Sequence, residues 1–242
     1  VTMDVADDPR YFNGYITAMK RGEKRGRFIT YTAVIKPWLW FLTRTRNSRV
    51  FQNQSIKDIV TEVLADYSTD SEWRLISASV YPKLDYCVQY DETDFDFVSR
   101  LLEEAGIYYF FDHTESKHTM VLIDSMAKHK SRPAKKGIAW ANAMKSASTM
   151  TDWVHTEEAR SVKAVVADYD YLAPATKIEA NKSSPKAPSK LGTMEWYENP
   201  ANVVQNSAKP DARPASSAAT QRAGVLMEEL VSMYAMVTST TN

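Results

Sequence analysis

One cysteine, Cys87, serves all 242 residues, so no intrachain disulfide is available. Folding in a reducing compartment is the simple reading. Glycine is nearly as scarce. Seven residues leave little material for a phosphate-cradling loop, and no GxSxG, P-loop, GxGxxG or HExxH motif occurs. No charge of either sign is in excess: Lys+Arg and Asp+Glu are both 30. That balance argues against nucleic acid or an anionic membrane as the main partner, and it does little to oppose association. No apolar run reaches the roughly 18 residues that cross a bilayer. The N-terminus, VTMDVADDPR, lacks the basic and apolar regions of a signal peptide. Without Met at position 1, the chain reads as a piece of a longer one that starts inside a domain.

What is present is a mixture of strand and helix patterns. YFNGYITAM and FITYTAVI (within 11–35) are rich in β-branched and aromatic residues and read as two strands, with KRGEKRGR as the solvated loop between them. Pro37 ends that pair. SIKDIVTEVLADY (55–67) reads as a helix capped by Ser55, with Asp58 in its first turn and Ile56, Ile59, Val60, Val63 and Leu64 on one face. YCVQY (86–90) alternates like a strand. A second helix follows, started by Thr93 or Asp94 and ended by Gly106, with Phe95, Val98, Leu102 and Ala105 as its expected apolar face. IYYFF and TMVLID then form a hairpin across DHTESK.

KHKSRPAKK (128–136) reads as a basic connector, and SVKAVVADYDY (161–171) as another strand. Six of the ten prolines lie at 174, 185, 188, 200, 210 and 214 among Ser, Ala and Lys, so 174–215 is expected to be extended and irregular. From about Ser217, the residues Ala219, Ala223, Leu226, Leu230, Met233 and Val237 predict a terminal helix with a short heptad-like seam.

Candidate chemistry is thin. Asp91, Glu92, Asp94, Asp96, Glu103 and Glu104 supply carboxylates, but four cluster at a helix start, where the dipole favours them, and two fall on its solvated far end. His113 and His118 bracket a turn without the further ligands that a metal needs, and His129 and His155 stand apart. Cys87 reads as a small buried apolar thiol. The bottom-up reading therefore assigns no catalytic residue, cofactor or metal.

The stretch PWLWFLTRTRNSR (37–49) changes abruptly from aromatic to cationic. Trp38, Trp40 and Phe41 read as anchors of a packing surface, between domains or between subunits, and Arg44, Arg46 and Arg49 as its rim, placed to meet acids such as Asp91, Glu92 or Asp94. The alternative is an intradomain core for the tryptophans and a solvated turn for the arginines.

PWLWFLTRTRNSRVFQNQSIKDIV (37–60), YPKLDYCVQYDETDFDFVSRLLEEAGIYYFFDH (81–113) and HTMVLID (118–124) together resemble the VgrG family, the spike (tip) proteins of the bacterial type VI secretion system. FNGYIT (12–17) and VVADYDYLAP (165–174) fit the same family more loosely. The sequence departs from the pattern at Leu84-Asp85, where Arg-Glu is common, and at Ala105, where a third Glu is common. Both are read as surface positions.

The resemblance implies a mixed α+β, mostly β fold with phage tail hub-like β-barrel domains and an adjacent α/β domain. Residues 1–48 would be the C-terminal part of a first barrel, 49–130 the α/β domain, and 131–242 a second barrel-like region with the irregular segment and terminal helix. It implies a non-enzymatic homotrimer at the tip of a tail tube of Hcp-like hexameric rings. An OB/β-helix needle and effectors would lie downstream. The protein would assemble in the bacterial cytoplasm and then be translocated. A contractile bacteriophage baseplate hub is the alternative within this architecture. A cell-wall hydrolase and a small-molecule binding module are alternatives of other classes.

Overall fold

The computed structural model describes residues 2–5, 8–76, 81–130, 139–140, 149–171, 173–185, 194–204 and 214–241. The chain divides into two compact units. The first is Val1–Val80, Tyr86–Glu103 and Ile107–Ala134; the second is Tyr81–Asp85, Glu104–Gly106 and Lys135–Asn242.

In the first unit, β1 (Thr2–Val5) pairs antiparallel with β2 (Asp8–Tyr11). β3 (Tyr15–Arg25) and β4 (Phe28–Lys36) form a long two-stranded antiparallel ribbon. The basic stretch expected as a loop is largely strand. Only a tight turn at Gly26 (φ 60°) reverses the chain, because glycine adopts the left-handed backbone without a Cβ clash. Register shifts at Ile16/Ala18 and Arg21/Lys24 bend the ribbon. Pro37 then starts a 3-10 helix, Trp38–Arg44, which buries Trp38, Leu39 and Leu42.

β5 (Arg46–Ser55) leads into α1 (Ile56–Ala65). Ser55 closes a capping box with Asp58: the Asp58 N–H donates to Ser55 Oγ at 3.2 Å and the Ser55 N–H to Asp58 Oδ2 at 3.2 Å. The five apolar residues expected on one face are all buried. β6 (Ser71–Arg74) follows, and β7 (Lys83–Thr93) pairs with β5.

α2 (Asp94–Ala105) is capped by Thr93, whose Oγ1 accepts from the Asp96 N–H at 3.1 Å. It ends at Gly106 (φ 70°), with the Ile107 N–H donating to the Leu102 carbonyl at 2.8 Å, a Schellman closure. The buried face is Phe97, Val98, Leu101, Leu102 and Ala105; Phe95 is only half-buried. Two apolar rows were available at helical spacing, and the stacking of Phe97 on Phe51 (centroids 5.5 Å apart) selects the row through 97 and 101. Ala105, placed on the apolar face by its helical spacing but read as a surface position from the family pattern, is 8% exposed, so the spacing was the better guide. A small residue fits there because the helix end is covered.

β8 (Tyr108–His113) and β9 (His118–Ile123) form the expected hairpin, and β6 adds parallel to β9. β9 is therefore central, and Met120, Val121, Leu122 and Ile123 are all buried, a continuous apolar run.

In the second unit, β10 (Ala139–Trp140) pairs parallel with β11 (Thr149–Glu157). β12 (Lys163–Asp168) is flanked by β13 (Ile178–Ser183), antiparallel, and β14 (Glu195–Glu198), parallel. α3 (Ala215–Ser232) packs on β12 and β13 through Ala219, Ala223, Leu226, Met227 and Leu230, over Ala164, Val166 and Ile178. The two alanines allow helix and sheet to approach closely. Two expectations fail here. The Pro-rich segment 174–215 contains β13 and β14, because Ile178 is drawn into the core and β14 extends the sheet beside β12; 186–193 and 205–213 lie outside the described residues. The terminal helix stops at Ser232. β15 (Ala235–Thr241) follows and pairs antiparallel with β11, so Met233 and Val237 leave the seam. Most of the connector 128–136 also lies outside the described residues.

The mixed α+β, mostly β class holds. The barrels do not close among the described residues: sheets of two or three strands are too few to satisfy the stagger of a barrel.

Candidate assembly interface

Two features of the first unit meet at residues 37–55. One is an ionic node around Asp94, whose side chain is 1% exposed although it starts a helix. Four donors converge on its carboxylate. Arg49 Nη2 and Gln89 Nε2 reach Oδ1 at 2.7 Å each, Tyr67 OH reaches Oδ2 at 2.6 Å, and Asn47 Nδ2 reaches Oδ1 at 3.2 Å. The Asp94 N–H donates to the Thr45 carbonyl at 3.0 Å. Burial alone would push this carboxyl up; the bonds from Gln89, Tyr67 and Asn47, with the Arg49 charge, outweigh it and hold the group below the usual carboxylate range. Arg49 also donates to Gln89 Oε1 at 2.9 Å and to Asp66 at 3.2 Å. The node thus ties β5, β7, the end of α1 and the start of α2 together.

The other feature is the aromatic 3-10 helix. Trp38 is buried, and its backbone N–H donates to His118 Nε2 at 3.0 Å. Trp40 is half-buried, with the Arg44 guanidinium 5.1 Å and the Lys36 ammonium 5.7 Å from its ring. Phe41 is exposed and meets Trp40 and Tyr15 edge-on at 5.5 and 5.0 Å. Arg46 pairs with Asp91 at 2.7 Å, on the surface. The structure therefore brings Arg46 and Arg49 to Asp91 and Asp94, and keeps Arg44 on Trp40. Glu92 instead holds Arg100 at 2.8 Å. Asn47, Asp66, Tyr67 and Gln89 are partners that sequence reasoning did not name. The alternation of YCVQY carried a signal for one of them, since it puts Gln89 on the same side as buried Cys87.

Around this site lies a large apolar surface. On one face of the β3–β4 ribbon Ile16, Met19 and Tyr31 are 58–65% exposed, and Phe28 is 68% exposed on the other. In the second unit the β11–β15 pair exposes apolar residues on both faces, Trp153 and Val237 on one and Val154 and Met236 on the other. Two-stranded ribbons with wet apolar faces are at best marginally stable alone. Among the described residues no group of three or more His, Cys, Asp or Glu is placed to hold a metal, and no helix is long and apolar enough to cross a membrane.

Comparison with known proteins decides the family, because residues 1–242 match that of the phage tail baseplate hub (GPD). The chain is a member of this hub family. The hub chain is also 35% identical, over 200 residues, to the type VI secretion system spike protein VgrG1b of Pseudomonas aeruginosa, which agrees with the resemblance read from its motifs. That match covers 81% of this chain and 27% of the relative, so the hub chain spans about a quarter of the length of that curated relative. Among solved structures, it is similar in fold to the Escherichia coli c3393 protein, a type VI secretion component described as similar to the T4 tail proteins gp27 and gp5 (TM-score 0.54, 23% identity, 65% of this chain and 43% of that one). It is also similar to a 43 kDa tail protein of prophage MuSo2 from Shewanella oneidensis (TM-score 0.58, 13% identity, 98% of this chain and 65% of that one). The hub-like fold expected from the sequence is thus established.

Proposed function

We propose that this hub chain is a structural, non-enzymatic part of a homotrimeric spike at the tip of a contractile injection machine of the type VI kind. The exposed apolar ribbons carry the reading. Each unit presents strands whose large apolar side chains are exposed, and clustered exposed apolar side chains mark an interaction face. Their charges differ: Lys20, Arg21, Lys24 and Arg27 lie on or at the turn of β3–β4, whereas Asp152 and Glu157 lie on β11. A head-to-tail contact between unlike faces closes into a ring when the rotation fits. Three chains with two units each then give a pseudo-sixfold ring that matches hexameric, Hcp-like tube rings. Obligate contacts of this kind cover about 2,000 Å² or more.

In this reading Trp40, Phe41, Arg44 and Arg46 form the outer part of the interface, and Trp38 and Arg49 anchor it from within. In the same reading residues 1–48 belong to a first barrel, 49–130 to an α/β domain and 131–242 to a second barrel-like region. A needle and its effectors follow. The particle assembles in the bacterial cytoplasm and is driven into a target envelope by contraction. The family description also fits a baseplate hub of a contractile phage, which would use the same contacts.

The test is to mix the protein with purified hexameric tube rings and image the mixture by negative-stain electron microscopy. Rings capped at one end support the proposal. Uncapped rings, together with release of sugars from purified cell wall by this chain, would replace it with the hydrolase reading.

A further inference from the structure

Both ends of the β3–β4 ribbon are fastened by histidines of one hairpin. At the entry, the Asn13 backbone N–H donates to His113 Nδ1 at 3.0 Å. At the exit, the Trp38 backbone N–H donates to His118 Nε2 at 3.0 Å. His113 and His118 are direct cross-strand partners in the β8–β9 register, with ring centroids 5.7 Å apart. Each accepting nitrogen must be unprotonated, because a protonated imidazole presents only donors. We propose that His113 and His118 form a proton-operated latch that holds the β3–β4 ribbon in place at neutral pH: a proton on His118 releases the Trp38 end, and a proton on His113 removes one of the three bonds that hold the Asn13 end.

The surroundings favour the neutral state. His118 is buried between the rings of Tyr15 and Phe111, at 6.3 and 5.7 Å. Burial first, and then the neighbouring His113, push its titration below the usual histidine range; Asp70 opposes them. Asp70 is itself held by Lys117 at 2.8 Å, and on the other side Asp112, next to His113, is held by Arg74 at 2.9 Å. Asp70 and Asp112 are therefore already engaged, and the remaining acid of the hairpin, Glu115, lies exposed in the turn between the two histidines. A proton on His113 also makes a proton on the facing His118 more costly. With the folded value depressed, the latch's contribution is complete above the unfolded histidine value of about 6.5 and is lost as pH falls through the lower folded value.

The two ends differ. The Asn13 side chain also donates to the carbonyls of Thr114 and Lys117, bonds that no proton disturbs. Opening therefore starts at Trp38 and spreads along β4 toward the basic turn. The inference stands apart from the spike reading, since it concerns the isolated chain whatever the chain assembles into.

The test is amide hydrogen exchange on the whole chain at pH 7.5 and 5.5, corrected for intrinsic exchange, in wild type and in His113→Asn/His118→Gln. In that variant Asn Oδ1 and Gln Oε1 replace the accepting Nδ1 and Nε2 without titrating. Wild type is expected to lose up to about tenfold of its protection at Trp38 at pH 5.5, because that pH lies one unit below the free histidine value of about 6.5 and opening lets His118 take up a proton, with a smaller loss at Asn13, and the variant to change little. Equal wild-type protection at both pH values overturns the latch. So does an undiminished loss in a folded variant. If the variant does not fold, imidazole ¹⁵N shifts of the wild type decide: protonation of His118 with the Trp38 amide still protected overturns it, and coincident loss supports it.

Discussion

Replacing Asp94 by Asn tests how much of the first unit rests on one buried charge. The change keeps the shape and removes the ion. Four donors now converge on the carboxylate, and an amide offers a single acceptor oxygen with an N–H₂ turned toward the rest. Breaking a buried pair by removing one partner costs about 3–5 kcal/mol. Arg49 is still 26% exposed and keeps Asp66 at 3.2 Å, so the lower end, about 3 kcal/mol, is expected. At about 2–4 °C per kcal/mol, the melting temperature of this unit drops by roughly 6–12 °C. The acid side of the stability curve changes as well. Because the folded carboxyl titrates below its unfolded value, its contribution is present above about pH 4 and is lost as pH falls through the folded value; the Asn variant lacks that loss. Thermal melts and urea titrations between pH 3 and 7 read both effects. Glu103→Gln, on the exposed side of the same helix, serves as control and should stay within about 0.5 kcal/mol. A loss below about 1 kcal/mol for Asp94→Asn, or acid profiles that superimpose, would refute the reasoning.

Phe97→Ala removes a fully buried ring stacked on Phe51 and should cost about 3–5 kcal/mol in urea unfolding, whereas Phe95→Ala should cost clearly less. Gly106→Ala forces a Cβ into the left-handed backbone at the end of α2 and should lower stability by about 1–2 kcal/mol, read by the same melts. Ser55→Ala opens the capping box of α1 and should cost about 1 kcal/mol, with Ser55→Asp restoring most of it.

Elements held together by near neighbours in the chain were legible in the sequence. The Ser55–Asp58 box, the apolar face of α1, the Gly106 stop and the β8–β9 hairpin all rest on residues within a few positions of one another. What was not legible depends on distant partners. Four acids of similar local setting, Asp91, Glu92, Asp94 and Asp96, cluster at the start of α2, and only Asp94 is buried, because Asn47 and Arg49, on a strand more than forty residues earlier, meet it there. Phe97 was chosen over Phe95 by Phe51 for the same reason. After Ser232 the heptad spacing of Met233 and Val237 still read as helix, yet β11 offered a free edge and drew 235–241 into a strand. In the aromatic-to-cationic stretch, the sequence marked Trp38, Trp40 and Phe41 as a group, but their separation into one buried and two outward rings follows from the 3-10 turn, whose tighter winding no period in WLWFLTR announced. The histidines of the latch were visible as a pair; their backbone partners at 13 and 38 were not.

The claim that this chain is built to assemble in threes through its apolar ribbons is tested most directly by sedimentation equilibrium over a wide concentration range. Wild type is expected to self-associate toward a three-copy species. The ribbon variant Met19→Glu/Phe28→Glu, altered only at exposed side chains, is expected to melt like wild type and remain a single copy. A single-copy particle at every concentration, with wild type and variant indistinguishable, would contradict the account.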